Sequence, residues 1–540
     1  MGAKARRNTE SAEIVIYERD SDISYSGCGL PYFVGGEVPD MDALTPRDPA
    51  WFAKRHAIDI RTRHEVTGVD PVARTVSVTN LATGESFTDS YDVLVLATGV
   101  TPIVPDLPGV AAAGVFTVRN PSDAREIRAH IEASGTTSAV IVGAGFIGME
   151  MAEQLVGRGI ATTVVERLPQ VMPPLDADMA DRVAESLGGN GVQLRLGASV
   201  TAVEGDPVAG VVLDTGERIE AGLVILAVGV RPATELAVQA GVTLGASGAI
   251  AVDERMATNV PGIWAVGDVA ESFSVITGAP MWRPLGSTAN KMGRIAGDVI
   301  TGGELAHRGI LGTGIFRVFD LTVAQTGLTE REATDQGFDV VVLHNIKPDR
   351  PEYLGGREMV IKAIADRATG RVLGAQIVGP QGVDKRIDVL ATAITFGAKA
   401  ADLFHLDLAY APPFATTKDP VLYTGMALDN ALRGSAPLMT PAELIARRAA
   451  GEAIQVVDVR SVKHFEKSHV DGAIHIPLGA LRERAGELDP ALPTVTYCNK
   501  GVSGNAGQNI LRCLGFTWVG NLSGGNKNYQ SYVASQAPRT

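Results

Sequence analysis

Short runs of apolar, β-branched residues recur through the first 300 positions, at 13–17, 93–97, 139–142, 162–165, 223–227 and 263–266. Most show little polar alternation, the pattern of parallel strands covered on both faces. Gly-rich turns and helical stretches follow several of them, which predicts doubly wound α/β domains. After about residue 310 the pattern changes. Residues 338–343 and 358–364 alternate and precede a helical stretch at 383–396, an α+β arrangement. A polar, turn-rich stretch at 430–437 reads as a linker, and a further small α/β pattern runs from 456 to about 532.

With 540 residues the chain is too long for one core and predicts roughly three or four domains. Its 61 glycines exceed the usual share and fall in short Gly-x-Gly clusters, as where backbone approaches a phosphate. The net charge of −13, with no Lys/Arg run, argues against a nucleic-acid partner. No apolar run approaches the ~18 residues of a membrane span. The N-terminus MGAKARRNTE is basic but has no apolar h-region, and Arg6 stands where a myristoylation site needs Ser or Thr. A cytoplasmic protein is expected. Cys28, Cys498 and Cys513 are the three cysteines, too few and too scattered for a disulfide framework or a metal site.

The segment from Ser138, SAVIVGAGFIGMEMAEQL, reads as a strand, then Gly143-x-Gly145-x-x-Gly148, then a helix. Such glycines permit a tight turn, backbone approach to a pyrophosphate and close helix packing, and the helix N-terminus favours the anion. The next strand, TTVVERLP, ends in Glu166, close to the spacing of a ribose-binding acid. A carboxylate there accepts from the ribose 2′-OH and repels a 2′-phosphate, which favours NADH over NADPH; adjacent Arg167 weakens that preference. Gly229 belongs to the same expected nucleotide site.

A second dinucleotide site shows in part. AEIVIYERD puts Glu18 at a strand end, again in a ribose-binding position, but no Gly-rich loop precedes it. The segments LATG at 96–99 and TNVPGIWAVGD at 258–268 follow or end strands, the latter in Gly-Asp. This arrangement resembles the pyridine nucleotide–disulfide oxidoreductase family over residues 1 to about 430. The resemblance implies an FAD-binding domain (1–115 and 255–310), an interleaved NAD-binding domain (116–254) and an α+β dimerisation domain (311–432), and hence a homodimer. It implies FAD contacts from Glu18, Ala97, Thr98, Gly99, Arg119 and Asp268. The family's N-terminal FAD pyrophosphate loop is the departure. It is read as a truncation or misplaced start, with about 15 residues lost by strand-and-loop spacing.

The segment SYSGCGLPYFVGG sets Cys28 between two glycines, ahead of a Leu-Pro that starts a helix or turn. A lone cysteine is by default a small buried hydrophobe. The flanking glycines instead let another group approach the sulfur, and a nearby helix start is expected to lower its pKa. Dithiol family members carry a second cysteine five residues on, where this chain has Phe33. The motif is similar to that of the single-cysteine branch: coenzyme A-disulfide reductases, NADH oxidases, NADH peroxidases and persulfide reductases. It matches at Ser24, Cys28, Gly29, Leu30, Pro31 and Tyr32 and departs at Gly27, often Asn in the family. Two chemistries stay open on one sulfur: a mixed disulfide with coenzyme A, or a sulfenic acid cycle with peroxide. The resemblance implies coenzyme A contacts from Arg7, Ser24 and Lys418, and roles for Tyr410 and Tyr353 near the partner subunit's active site and in proton delivery.

Beyond the linker, VVDVRS at 456–461, then SHVDGAIHIPL, then TYCNKGVSGN around Cys498 and a final LSGG at 522–525 resemble the rhodanese superfamily over 438–536. The loop Asn499, Lys500, Gly501, Val502, Ser503 is expected to point backbone N–H groups at the Cys498 sulfur and hold a thiolate, then a persulfide. Asn499 and Lys500 replace more usual loop residues, and Lys500 would help an anionic donor. Cys513 reads as a core residue. Together these features predict reduction by NADH and FAD of coenzyme A persulfide or disulfide, or of a related small thiol compound, coupled to sulfane-sulfur transfer at Cys498. The alternatives are an NADH oxidase or peroxidase on the same scaffold, or an FAD-free sulfur carrier.

Overall fold

The computed structural model describes residues 1–434 and 436–536. They form two compact units, Met1–Pro169 with Asn190–Gly312, and Gln170–Gly189 with Thr313 onward.

The first unit is built around a five-stranded parallel sheet in the order Gln193–Leu196, Ala161–Glu166, Ser138–Val142, Leu223–Leu226, Val115–Thr117. Four of the five residues of Ser138–Val142 are buried, as the unalternating apolar runs predict. The helix Phe146–Gly157 makes the crossover from the central strand. In the same unit two parallel pairs carry the other dinucleotide half: Val15–Glu18 with Asp59–Thr62, and Leu94–Leu96 with Ile263–Ala265. The helix Gly286–Val299 supports them and packs on the helix Gly2–Asn8. That packing needs small residues, since a Cβ at Gly297 would come within 2.7 Å of the Met1 carbonyl oxygen.

The second unit holds an antiparallel sheet, ordered Gly314–Val318, Leu321–Gly327, Val372–Gly379, Glu358–Asp366, Val340–Pro348. The helices Val383–Thr395 and Pro420–Leu432 pack against it. Its middle strand, Val372–Gly379, is buried along its whole length. A parallel five-stranded sheet completes the unit, in the order Leu438–Met439, Val519–Leu522, Thr494–Tyr497, Gln455–Asp458, Ile474–His475. The architecture is thus two interleaved doubly wound dinucleotide-binding domains, an α+β domain and a C-terminal α/β domain.

One sequence expectation is corrected. The sequence pattern starts the linker at 430, but the helix Pro420–Leu432 continues through its first three positions because Ala431 extends the buried face. Residue 435 of that linker lies outside the described residues.

The short segment Gln170–Gly189 belongs to the second unit through a buried ionic network. Lys362 is 3% exposed and pairs with Asp176 at 3.2 Å, Asp178 at 2.8 Å and Glu330 at 2.7 Å. Asp178 also pairs with His344, whose ring meets the Ser523 hydroxyl at 3.1 Å. Arg182 donates to Asn528 at 2.6 Å. The antiparallel sheet, this segment and the C-terminal sheet are thereby joined through buried and partly buried polar groups. No helix among the described residues is long and apolar enough to cross a membrane.

Candidate active sites

In the first unit, Cys28 lies in the short turn Gly27–Gly29, ahead of the helix Leu30–Gly35 with Pro31 in its first turn. Gly29 packs closely on Leu44: a Cβ there would meet Leu44 Cδ2 at 2.4 Å, so that side chain would have to move. Phe33, five residues on, is buried. Cys28 is exposed at the cleft surface, yet enough protein surrounds its sulfur to push the thiol pKa up. Burial is the main cause, followed by the carboxylates of Glu150 and Asp268, and a backbone hydrogen bond offsets them only in part. This reverses the lowering expected from the nearby helix start. A six-residue helix offers a weak field, and two carboxylates oppose it.

Those two carboxylates locate the cleft. Asp268 sits in the turn Gly267–Val269 after the strand Ile263–Ala265, and burial raises its pKa while Arg119 lowers it. The Arg119 guanidinium donates to the Val100 carbonyl at 3.0 Å and to the Tyr25 hydroxyl at 3.2 Å. Gly99 has φ +68°, and a Cβ there would come within 2.9 Å of Arg119 Nη2. Ala97 and Thr98 are exposed beside it, with the Thr98 hydroxyl donating to the Ala233 carbonyl at 2.7 Å. Glu18 ends its strand and accepts from the Asp20 N–H at 2.9 Å. This strip of small residues, one guanidinium and one carboxylate fits the flavin and ribityl part of FAD.

Glu150, missed in the sequence, accepts from the Tyr32 hydroxyl at 3.3 Å. Its signal was an acid in the otherwise apolar first turns of FIGMEMAEQL.

The Gly-rich loop has the shape an NAD pyrophosphate needs. Gly143 has φ +106°, and a Cβ there would meet the Ala227 carbonyl oxygen at 2.3 Å. A Cβ at Gly148 would meet the Gly143 carbonyl oxygen at 2.1 Å, whereas nothing lies within 4 Å of one at Gly145. Gly145 caps the helix without a side chain, leaving its first N–H groups for an anion. Glu166 accepts from Ala144 N–H at 2.8 Å and Leu168 N–H at 2.9 Å, which fixes its carboxylate beside the loop. Gly229, φ +119°, accepts from the Ile103 N–H at 3.0 Å.

Arg7 is exposed on the first helix, whereas Arg6 is buried and donates to the carbonyls of His56 and Ala57 at 2.8 Å each, a structural role. Ser24 forms a bridge with Arg47. In the second unit Tyr353, Tyr410 and Lys418 are all exposed, with Lys418 5.8 Å from the Tyr423 ring centroid.

Cys498, 8% exposed, directly follows the strand Thr494–Tyr497. Gly501 turns the chain with φ +97°, and the helix Val502–Cys513 starts inside the expected loop, so Val502 and Ser503 form its first turn. Neighbouring elements clamp the loop: Asn526 N–H donates to the Cys498 carbonyl at 2.7 Å, Lys527 N–H to Asn499, and the Asn521 amide to Gly501. A Cβ at Gly525, of the LSGG segment, would meet the Cys498 carbonyl oxygen at 2.3 Å. Arg460 grips both Asp458 oxygens, reaches Asn499 at 2.9 Å and is buried. Lys500 pairs with Glu358 of the antiparallel sheet. Cys513 is exposed, which corrects the core assignment: it ends the helix past the buried Leu511, on the outer face.

The pyridine nucleotide-disulphide oxidoreductase model matches residues 1–289, and the dimerisation domain of that family matches residues 315–420. The chain belongs to the pyridine nucleotide-disulphide oxidoreductase family. A rhodanese-like domain follows at residues 440–532. One relative of this oxidoreductase is the "NAD(P)H sulfur oxidoreductase (CoA-dependent)" of Pyrococcus furiosus, 39% identical over 79% of this chain and 95% of that protein. Two solved structures match nearly the whole chain. Reduced Bacillus anthracis CoADR-RHD has a TM-score of 0.96 at 37% identity, over 99% of this oxidoreductase and 96% of that chain. An NAD-dependent persulfide reductase from A. fulgidus has a TM-score of 0.90 at 37% identity, over 97% of each.

Proposed function

We propose that this oxidoreductase reduces coenzyme A persulfide or disulfide, or a related small thiol compound, with NADH, using Cys28 as its single redox cysteine. Cys498 carries sulfane sulfur for the same chemistry. FAD, when bound, accepts the hydride equivalent from NADH and passes the electron pair on to sulfur. Glu18, Ala97, Thr98, Gly99, Arg119 and Asp268 would hold it. Gly143, Gly145, Gly148, Glu166 and Gly229 would hold NADH. The observation that carries the reading is the convergence of Cys28, Arg119, Gly99 and Asp268 on one cleft, with buried Phe33 where a second thiol would stand.

In the net reaction a persulfide RSSH with NADH and one proton gives the thiol RSH, hydrogen sulfide and NAD⁺; a disulfide gives two thiols. Cys28 contributes its sulfur as attacking nucleophile, breaking the substrate S–S bond and expelling a thiolate that takes a proton. Burial, then Glu150 and Asp268, push the Cys28 thiol pKa up. Arg7, Ser24 and Lys418 are proposed to bind the coenzyme A moiety, and Tyr353 and Tyr410 to deliver protons in a homodimer. This assignment takes 1–115 with 255–310 as the FAD-binding domain, 116–254 as the NAD-binding domain, 311–432 as the dimerisation domain and 438–536 as the rhodanese-like domain, with Gln170–Gly189 of the NAD-binding stretch belonging to the second compact unit.

Incubation with coenzyme A disulfide should add one coenzyme A moiety at Cys28, seen by intact mass, and NADH should remove it. Cys28→Ser should take up none there. An adduct that NADH does not remove would sink the assignment.

A further inference from the structure

Lys500 was expected to favour an anionic sulfur donor, but Glu358 neutralises it, and the same carboxylate also takes Lys527 at 2.6 Å. Another cation stands at the site. Lys347, on the strand Val340–Pro348 of the dimerisation sheet, adjoins Pro348, which lies opposite Glu358 in the register. Its ammonium sits 3.8 Å from the centroid of the Tyr423 ring, and Lys418 approaches the same ring. Among the described residues Lys347 is in ion-pair contact with no carboxylate. Burial and the charge of Lys500 push its pKa down, while Cys498 and Glu358 act the other way, so the Cys498 sulfur is among the groups it senses. Three other cations around the loop are committed: Arg460 is held by Asp458, and Lys500 and Lys527 share Glu358.

A half-buried ammonium with an aromatic face beneath it and another cation beside it lacks an anion. We infer that Lys347, supplied by the dimerisation domain, is a specificity-determining residue of the Cys498 site that raises its preference for anionic over neutral sulfur donors. The inference deepens the sulfur-carrier part of the proposed function and rests on it. For thiosulfate, the Cys498 thiolate attacks the outer sulfur, a Cys498–sulfur bond forms, and the bond to the sulfite sulfur breaks. Sulfite leaves with the electron pair, and no oxidant is needed. The Lys347 charge would favour both the incoming dianion and the persulfide anion left on Cys498.

The test compares alkylation of Cys498 in the full-length protein by anionic iodoacetate and neutral iodoacetamide, read by peptide mass spectrometry. The ratio of the two rates cancels the reactivity of the thiol itself and reports the local charge. Lys347→Met should lower that ratio roughly fivefold, Lys347→Arg should restore it, and high salt should erase the difference. A ratio unchanged in Lys347→Met overturns the inference. So does an equal slowing of both reagents, which marks a structural role, or failure of both to reach Cys498. NADH-dependent reduction at Cys28 does not enter this readout, so its failure would be seen separately.

Discussion

The guanidinium of Arg119 donates to the hydroxyl of Tyr25 at 3.2 Å, three residues before Cys28, and occupies the space a side chain at position 99 would need. The proposed flavin cradle is thereby tied to the segment that carries Cys28. Gly99→Ala, strained at φ +68° and in conflict with Arg119, should weaken FAD retention by about tenfold. The flavin-to-protein absorbance ratio after gel filtration checks this, and full retention would argue against the cradle.

In the proposed nucleotide site the Glu166 carboxylate is fixed by two backbone N–H groups and would set nucleotide preference. Glu166→Ala removes both the ribose acceptor and the repulsion of a 2′-phosphate. The ratio of kcat/KM for NADH to that for NADPH should fall by about tenfold or more. Steady-state kinetics with both nucleotides decides it.

The Cys28 thiol is raised by burial and then by Glu150 and Asp268, so its thiolate, and with it alkylation by iodoacetamide, should grow in at higher pH than for an ordinary cysteine. Glu150→Gln removes one of the like charges and should move the midpoint to lower pH. A midpoint that stays put would show that Glu150 does not contribute.

The Asp178 carboxyl is held far below the usual carboxylate range by His344 and Lys362, against the cost of its own burial. Its folded pKa is depressed, so the stability it contributes is fully present above the ordinary value of 3.8 and is lost as pH falls below it. Lys362→Met leaves Asp176 and Asp178 buried without their cation and should cost about 3–5 kcal/mol. Urea unfolding at neutral pH measures that loss, and replacing Lys362 and both aspartates together should recover part of it.

Much of this was legible in the chain. Gly143, Gly145 and Gly148 announced a strand–loop–helix because only glycine tolerates the contacts made at Gly143 and Gly148. Cys28 announced itself by its glycine neighbours, of which Gly29 packs closely on the Leu44 side chain. What stayed hidden depends on contacts distant in sequence. The segment Gln170–Gly189 joins the second unit through Lys362 and His344, about 170–190 positions away, and no local pattern marks such pairing. Glu150 needed the fold to bring it towards Cys28, and Lys347 looked like an ordinary strand lysine until Tyr423 and the Cys498 loop stood beside it.

The most direct test of the account is anaerobic NADH oxidation by the flavin-loaded protein with coenzyme A persulfide, coenzyme A disulfide and peroxide as separate acceptors. Fast turnover with persulfide or disulfide, abolished in Cys28→Ser, is the expected result. Turnover with peroxide alone, or sulfur reduction that survives Cys28→Ser, would contradict it.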